Sequence, residues 1–181
     1  DQVVGRVAKA GPAQVEAAIS AAECAFESWK NVSAEGRASV IFKIAGIVRQ
    51  RRLDLAAWMV YELDKAWDEA DGEVAEAVDF LEWYGRQALT LNSRAELAHL
   101  PNEATDFRYM PLGVGVVIPP WNFPCAILTG LTSGPVVAGN TVVLKPSSNT
   151  PVIGYKMMEI FEEAGVPAGV INFLPGSSSE I

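Results

Sequence analysis

Residues Met110–Ser148 read MPLGVGVVIPPWNFPCAILTGLTSGPVVAGNTVVLKPSS, and the order of residue types in this stretch decides the fold. Val114–Ile118 and Thr141–Leu144 are short β-branched apolar runs that predict buried strands. Cys125–Ala138, apolar and rich in small residues, predicts a buried helix between them. Strand, helix and strand with short joins make a βαβ unit, and such a unit implies a parallel sheet. A polar residue flanked by proline follows each strand: Asn122 after Pro119-Pro120-Trp121, and Lys145 before Pro146. Ligands of open parallel sheets bind at the carboxyl ends of the strands, which predicts Asn122 and Lys145 side by side at the rim of one crevice.

Downstream, Thr150 and Pro151 read as the cap and first residue of a helix running to Ala164, closed by Gly165-Val166-Pro167. Val170–Leu174 predicts a third strand. Ser177 and Glu180 fit a capping box for a further helix. Upstream, Thr105–Met110 alternates loosely and predicts an edge strand. Asn92–Glu103 is a polar connection. Before it, apolar spacing predicts helices from Pro12, from Ser33 to Arg51 or Arg52, over Leu53–Leu63 and over Trp67–Leu91. The chain opens on DQVVGRVAKA, strand-like and without a start signal, and stops at Ile181 just after a helix start; both ends read as cuts in something larger. The expected fold class is α/β, one partial domain: a mainly helical layer over residues 1–104 packed on a β-α-β-α-β half of a doubly wound parallel sheet over 105–181.

The bulk properties narrow the function. The 181 residues are half hydrophobic and carry a net charge of −8. The only basic run, Arg49-Gln50-Arg51-Arg52, is short and on a helix, so a nucleic-acid surface is not expected. No apolar run approaches the ~20 residues of a membrane span, and no signal peptide opens the chain. Two cysteines, Cys24 and Cys125, make neither a disulfide framework nor a metal cluster, so no metal site and a reducing, cytoplasmic setting are expected. His99 is the only histidine and has no ligand-spaced companion, which excludes Ser-His-Asp and Cys-His machinery from this stretch. Glu69, Asp71, Glu73, Glu76, Asp79 and Glu82 make the fourth helix acidic, read as a solvated face with favourable charge near a helix N-terminus.

Within PPWNFP, Pro119–Pro124, three prolines stiffen the backbone around one amide between two aromatics. Asn122 reads either as an N–H donor preorganised for developing negative charge or as a backbone-bonded residue of a stiff loop. Lys145 reads either as a donor to nucleotide hydroxyls or phosphate or as a snorkelling surface lysine. Ser147, Ser148, Asn149 and Thr150 also suit capping and turns. Gly113-x-Gly115 lacks the third glycine of a dinucleotide fingerprint. Cys125, at the start of an apolar helix, reads as a small buried hydrophobe.

PPWNFP at Pro119–Pro124, GNTVVLKPSSNTP at Gly139–Pro151 and EEAGVPAGVINFLPG at Glu162–Gly176 together resemble the aldehyde dehydrogenase superfamily. The acidic run EADGEVAEAVDFLEWYGRQAL and the run RYMPLGVGVVIPPWNFPCAILTG are most similar to its glutamate-semialdehyde-oxidising branch, which serves proline breakdown. The resemblance implies a small-molecule aldehyde substrate, NAD as cofactor and a homo-oligomeric complete enzyme. In that family a cysteine thiolate attacks the aldehyde, and an asparagine amide with the cysteine's own N–H holds the oxyanion. Hydride passes to the nicotinamide, and a glutamate activates the water that cleaves the thioester. Asn122 matches the oxyanion asparagine and Lys145 the lysine at the adenosine ribose. Pro120 and Trp121 match the cofactor wall, and Pro146, Ser147, Ser148 and Gly176 match the rest of the adenosine site. Glu82 falls near an acidic position beside the aldehyde. Ser148 stands where many NAD-preferring relatives carry a glutamate, so NADP should be tolerated beside NAD. The turn after the third strand, Pro-Gly-Ser-Ser-Ser, lacks a second glycine that relatives often have. The resemblance puts the nucleophile and the base beyond Ile181, so this stretch alone should be inactive. The alternatives are another semialdehyde or aliphatic aldehyde as substrate, or a non-catalytic domain of this fold.

Overall fold

The computed structural model describes residues 3–93, 101–177 and 179. Four helices come first: α1 Pro12–Trp29, α2 Ala34–Gln50, α3 Arg52–Leu63 and α4 Trp67–Asn92. Then follow β1 Val114–Val117, α5 Ala126–Val137, β2 Thr141–Leu144, α6 Pro151–Glu163 and β3 Ile171–Phe173. The three strands are parallel in the order β1-β2-β3, with Val114 opposite Thr141 and Val142 opposite Ile171.

The central strand explains the layering. All four residues of β2 are buried, as a strand covered on both faces requires. Val143 points to one face, where it packs with Ala22, Ala18 and Ile19 of α1. Val142 and Leu144 point to the other, into the main core built by α5, α6 and the apolar stripes of α2, α3 and α4. The α4 stripe, Ala70, Val74, Ala77, Val78 and Leu81, recurs at helical spacing and is buried throughout. β1 is an edge: Val114 and Val116 are exposed, and Val117 is buried.

Local chemistry sets most of the element ends. Ser33 caps α2 by accepting the N–H of Gly36 at 3.1 Å. Pro12 opens α1, and Gly11 receives the Gln14 side chain on its N–H at 3.0 Å. Asp64 closes α3 in the left-handed region (φ 56°), which aspartate tolerates better than most residues. Gly165, at φ 88°, turns the chain out of α6.

Three expectations need correction. Thr105–Met110 is exposed irregular chain, not an edge strand, because it pairs with no strand among the described residues; Phe107 and Tyr109 instead meet edge to face at 5.1 Å. Residues 3–10 of the opening run are likewise irregular, with Ala10 donating its N–H to the Pro175 carbonyl at 2.7 Å. Thr150 precedes α6 but makes no side-chain cap; that role falls to Glu62 of α3. His99 and Glu180, partner of Ser177 in the expected capping box, lie outside the described residues.

Candidate active site

The PPWNFP loop leaves the carboxyl end of β1 and enters α5. Its start is tied down where Lys145 donates its backbone N–H to the Val117 carbonyl at 2.9 Å, extending the β1–β2 ladder. Its end is tied down by Glu73 of α4, whose carboxylate accepts the N–H groups of Cys125 at 2.7 Å and Ala126 at 3.1 Å. Those are orphan donors at the α5 N-terminus, and a carboxylate there is favoured by the helix dipole as well. Glu73 is 2% exposed and forms an ion pair with Lys65, which lies in the turn between α3 and α4. The Lys65 ammonium also donates to the Asn122 carbonyl at 3.0 Å and sits 4.2 Å from the centre of the Phe123 ring.

The side chain of Asn122 is exposed, so its polar groups carry no burial penalty in this chain. It opens onto a cavity of about 490 Å³ walled by Trp121, Phe123, Lys65 and the acidic α4 residues Glu69, Glu73 and Glu76. A second cleft, of about 330 Å³, brings together Ser147, Ser148 and Gly176 with Pro151, Pro175 and the irregular chain Val3–Lys9. The single crevice expected for Asn122 and Lys145 is not formed: Asn122 opens onto the first cavity, and Ser147 and Ser148 lie in the second. Lys145 is half-buried and Pro146 buried, and neither lines the Asn122 cavity or the Ser148 cleft. Pro120 is exposed on the loop.

The second cleft has one acidic wall. Glu62 accepts the N–H groups of Val152 at 2.8 Å and Ile153 at 2.9 Å. Burial raises its pKa, and the two N–H donors partly offset that rise. Hydroxyls at Ser147 and Ser148, apolar walls and a carboxylate already engaged by backbone suit the sugar and base of a nucleotide.

Glu82 is placed elsewhere. It binds Arg49 at 2.7 Å and Arg86 at 2.9 Å, and the Arg49 hydrogen bond is the main cause of its lowered pKa. It lines a separate surface depression, so the acidic residues that meet Asn122 are not the one singled out from the sequence. Cys125 is fully buried, 3.8 Å from the Met157 sulfur. Burial pushes its thiol far up and the Glu73 charge adds to this, so it stays protonated and is no nucleophile. Among the described residues no cluster of three or more His, Cys, Asp or Glu could hold a metal ion, and no helix is long and apolar enough to cross a membrane.

Glu73, read from the sequence as part of the solvated acidic face, is buried instead, and Glu62 escaped the sequence reading. Glu73 had a signal: it lies three after Ala70 and four before Ala77, inside the apolar stripe, where a charge needs a buried partner. Glu62 had none, since its partners are 90 and 91 residues away.

Residues 1–181 match the aldehyde dehydrogenase family along their whole length. The chain belongs to the aldehyde dehydrogenase family. It is 52% identical over 181 residues to the 1-pyrroline-5-carboxylate dehydrogenase of Oceanobacillus iheyensis, covering 35% of that relative. This aldehyde dehydrogenase chain thus spans about a third of the length of the curated relatives it matches. A solved 1-pyrroline-5-carboxylate dehydrogenase from Thermus with bound NAD superposes at a TM-score of 0.93 with 50% identity, over 96% of this chain and 34% of that one. Proline utilization A from Bdellovibrio bacteriovorus superposes at 0.97 with 44% identity, over 99% of this chain and 19% of that one.

Proposed function

We propose that this chain supplies the oxyanion arm and the adenosine side of the cofactor cleft in an NAD-dependent dehydrogenase. The complete protein oxidises L-glutamate γ-semialdehyde, the open form of 1-pyrroline-5-carboxylate, to glutamate in proline catabolism. The observation that carries this reading is the similarity, near half identity along all of the chain, to relatives bearing that activity in their names. The exposed Asn122 amide at the carboxyl end of a parallel strand supports the chemistry.

Asn122 donates a side-chain N–H to the aldehyde oxygen as negative charge builds on it, which favours the tetrahedral state over the planar ground state. Trp121 and Pro120 wall the reacting end of the cofactor. Lys145 donates to the adenosine ribose, and Pro146, Ser147, Ser148 and Gly176 form the rest of the adenosine site. The bound nicotinamide accepts the hydride. The thiolate and the water-activating glutamate come from outside residues 1–181, and the 181-residue chain alone has no turnover. The complete protein is a cytoplasmic homo-oligomer. The free thiols Cys24 and Cys125 support that location, and the exposed apolar Val114, Val116 and Ile118 support burial of the β1 edge against further protein.

The test uses the complete parent protein: NAD reduction with glutamate semialdehyde, for wild type and Asn122→Ala. Loss of one oxyanion donor is expected to lower kcat by ~10²–10³. An active wild type matched by Asn122→Ala overturns the oxyanion role. A wild type that oxidises other aldehydes and not this one overturns the substrate assignment and leaves the mechanism standing.

A further inference from the structure

We propose that Lys65, held by Glu73, is the positioning residue that aims the Asn122 amide; this rests on the oxyanion reading of Asn122 given above. A hydrogen-bond donor is useful to a transition state only if its direction is fixed before the charge appears, and an error near 1 Å can lower turnover by about 10²-fold. Prolines stiffen PPWNFP on either side, but Trp121, Asn122 and Phe123 between them are all exposed. What holds that middle segment comes from another element.

Lys65 does so with each part of its head group. One donor goes to the Asn122 carbonyl at 3.0 Å, which sets the plane of the peptide that follows Asn122. Another goes to Glu73, and the ammonium lies over the Phe123 ring at 4.2 Å, a cation–π contact that fixes the next residue along. Glu73 divides its two oxygens: Oε2 faces Lys65, and Oε1 takes the N–H groups of Cys125 and Ala126. The segment from Asn122 to Ala126 is thereby fastened to the α3–α4 corner through one lysine and one carboxylate. The Lys65 and Glu73 side chains are 9% and 0% exposed, so their ion pair is shielded from bulk water while the bond to the Asn122 carbonyl lies at the cavity surface. Stability alone does not explain the pair, because dehydrating two charges offsets much of their attraction and apolar replacements are often as stable. A directional bond to the Asn122 carbonyl is what an apolar pair could not supply.

The experiment is a double-mutant cycle in the complete parent protein with NAD and glutamate semialdehyde, or with whichever aldehyde it turns over. Lys65→Met alone leaves Glu73 charged and unpaired and can cost the fold, so the working background is Lys65→Met/Glu73→Gln, which removes both charges. Lys65→Arg, which retains the charge and a donor, is the conservative control. In the double variant kcat is expected to fall by about 10²-fold, with aldehyde KM and NAD affinity nearly unchanged and thermal unfolding still cooperative. Adding Asn122→Ala should then cost less than about tenfold, against ~10²–10³ in the wild type, because residues acting as a unit are not additive. Lys65→Arg should recover most of kcat. If Asn122→Ala costs the same factor in both backgrounds, or the double variant keeps wild-type kcat, the positioning role is overturned and the oxyanion reading survives. If Asn122→Ala costs nothing in the wild type, the oxyanion reading falls first and the positioning role with it. If the double variant does not fold, the cycle is run on Glu73→Gln, which keeps an acceptor for the α5 N–H groups and removes the charge that holds Lys65, and a wild-type Asn122→Ala factor together with unchanged kcat and KM in that background overturns the proposal.

Discussion

Glu62 takes the N–H of Val152 at 2.8 Å across 90 residues of chain, and that of Ile153 at 2.9 Å. One carboxylate thus does for α6 what a capping side chain at Thr150 was expected to do, and it fastens α3 to the cleft of Ser147 and Ser148. Glu62→Ala should destabilise the protein by about 1–2 kcal/mol, the range for a lost helix cap, and denaturant unfolding measures it. The pH dependence has a definite sign. Burial raises the folded pKa of Glu62 above its ordinary 4.5. The folded state then holds the proton more tightly than the unfolded chain does. Stability from that proton is fully present below the unfolded value and is lost as pH rises through the folded one. Relative to Glu62→Gln, the wild type should therefore lose stability on going from about pH 4 to about pH 7; a difference that is flat or rises with pH contradicts this.

The last carbonyls of α5 depend on two side chains from the helical layer. Trp29 of α1, 3% exposed, donates its indole N–H to the Val136 carbonyl at 2.9 Å, and Arg37 of α2 donates Nε–H to the Val137 carbonyl at 2.8 Å. Arg37 also donates to the Val32 carbonyl, so a single guanidinium ties the α1–α2 turn to α5. Trp29→Phe keeps most of the ring volume but removes the indole donor, leaving the Val136 carbonyl to the Gly139 N–H at 3.0 Å alone, which should lower stability by ~0.5–1.5 kcal/mol. Arg37→Lys should also be destabilising, because a point charge cannot reproduce the fork. Chemical denaturation of both variants checks the pair.

Much of this fold is legible because the sequence repeats one message locally. Thr141–Leu144 is β-branched or apolar at every position and buried throughout, which only a strand covered on both faces wants. Ser33 is followed by helical apolar spacing, and it caps. Thr105–Met110 alternates only loosely and forms no strand, because alternation records a preference whereas a ladder needs a neighbour. The site is less legible for the same reason. Asn122 stands out by its flanking prolines, but Lys65 and Glu73, which hold its loop, come from 57 and 49 residues upstream, and only the phase of Glu73 in the α4 stripe hints at burial. The shared crevice for Asn122 and Lys145 follows from adjacent strand ends, yet Asn122 opens onto its own cavity while Lys145 lines neither that cavity nor the Ser148 cleft.

Two glycines in the helical layer should respond to alanine with opposite signs. A Cβ on Gly85 of α4 would lie 2.5 Å from Cε1 of Phe42 on α2, within the ring's own volume. Gly85→Ala should destabilise by about 1–3 kcal/mol through overpacking of the α2–α4 contact. Gly46, inside α2, has nothing within 4 Å of the same position. There Gly46→Ala should stabilise by roughly 0.5–1 kcal/mol, since it removes backbone freedom from the unfolded chain at no steric cost. Thermal unfolding of the two variants side by side tests the packing, and a shift of the same sign in both contradicts it.

Ser148 sets the last expectation, on cofactor choice. It is exposed in the cleft it shares with Ser147, Gly176 and Glu62, and the Glu62 carboxylate is already satisfied by two backbone N–H groups. A glutamate at position 148 would bring a second, unengaged carboxylate toward the ribose, where it could bond both hydroxyls of NAD but would face the 2′-phosphate of NADP. Two like charges about 4 Å apart repel by ~1 kcal/mol in water and by ~4 kcal/mol near a protein surface. The complete parent protein should therefore use NADP with a kcat/KM above about 10⁻³ of its NAD value, since a factor of 10³ corresponds to ~4 kcal/mol of discrimination. Ser148→Glu should lower the NADP value at least about tenfold while leaving NAD within a few-fold, consistent with repulsion of 1 kcal/mol or more. Steady-state kinetics with both nucleotides at saturating aldehyde decide it. A Ser148→Glu variant that loses NAD and NADP in equal measure would place residue 148 away from the ribose, and the cleft would then need another occupant.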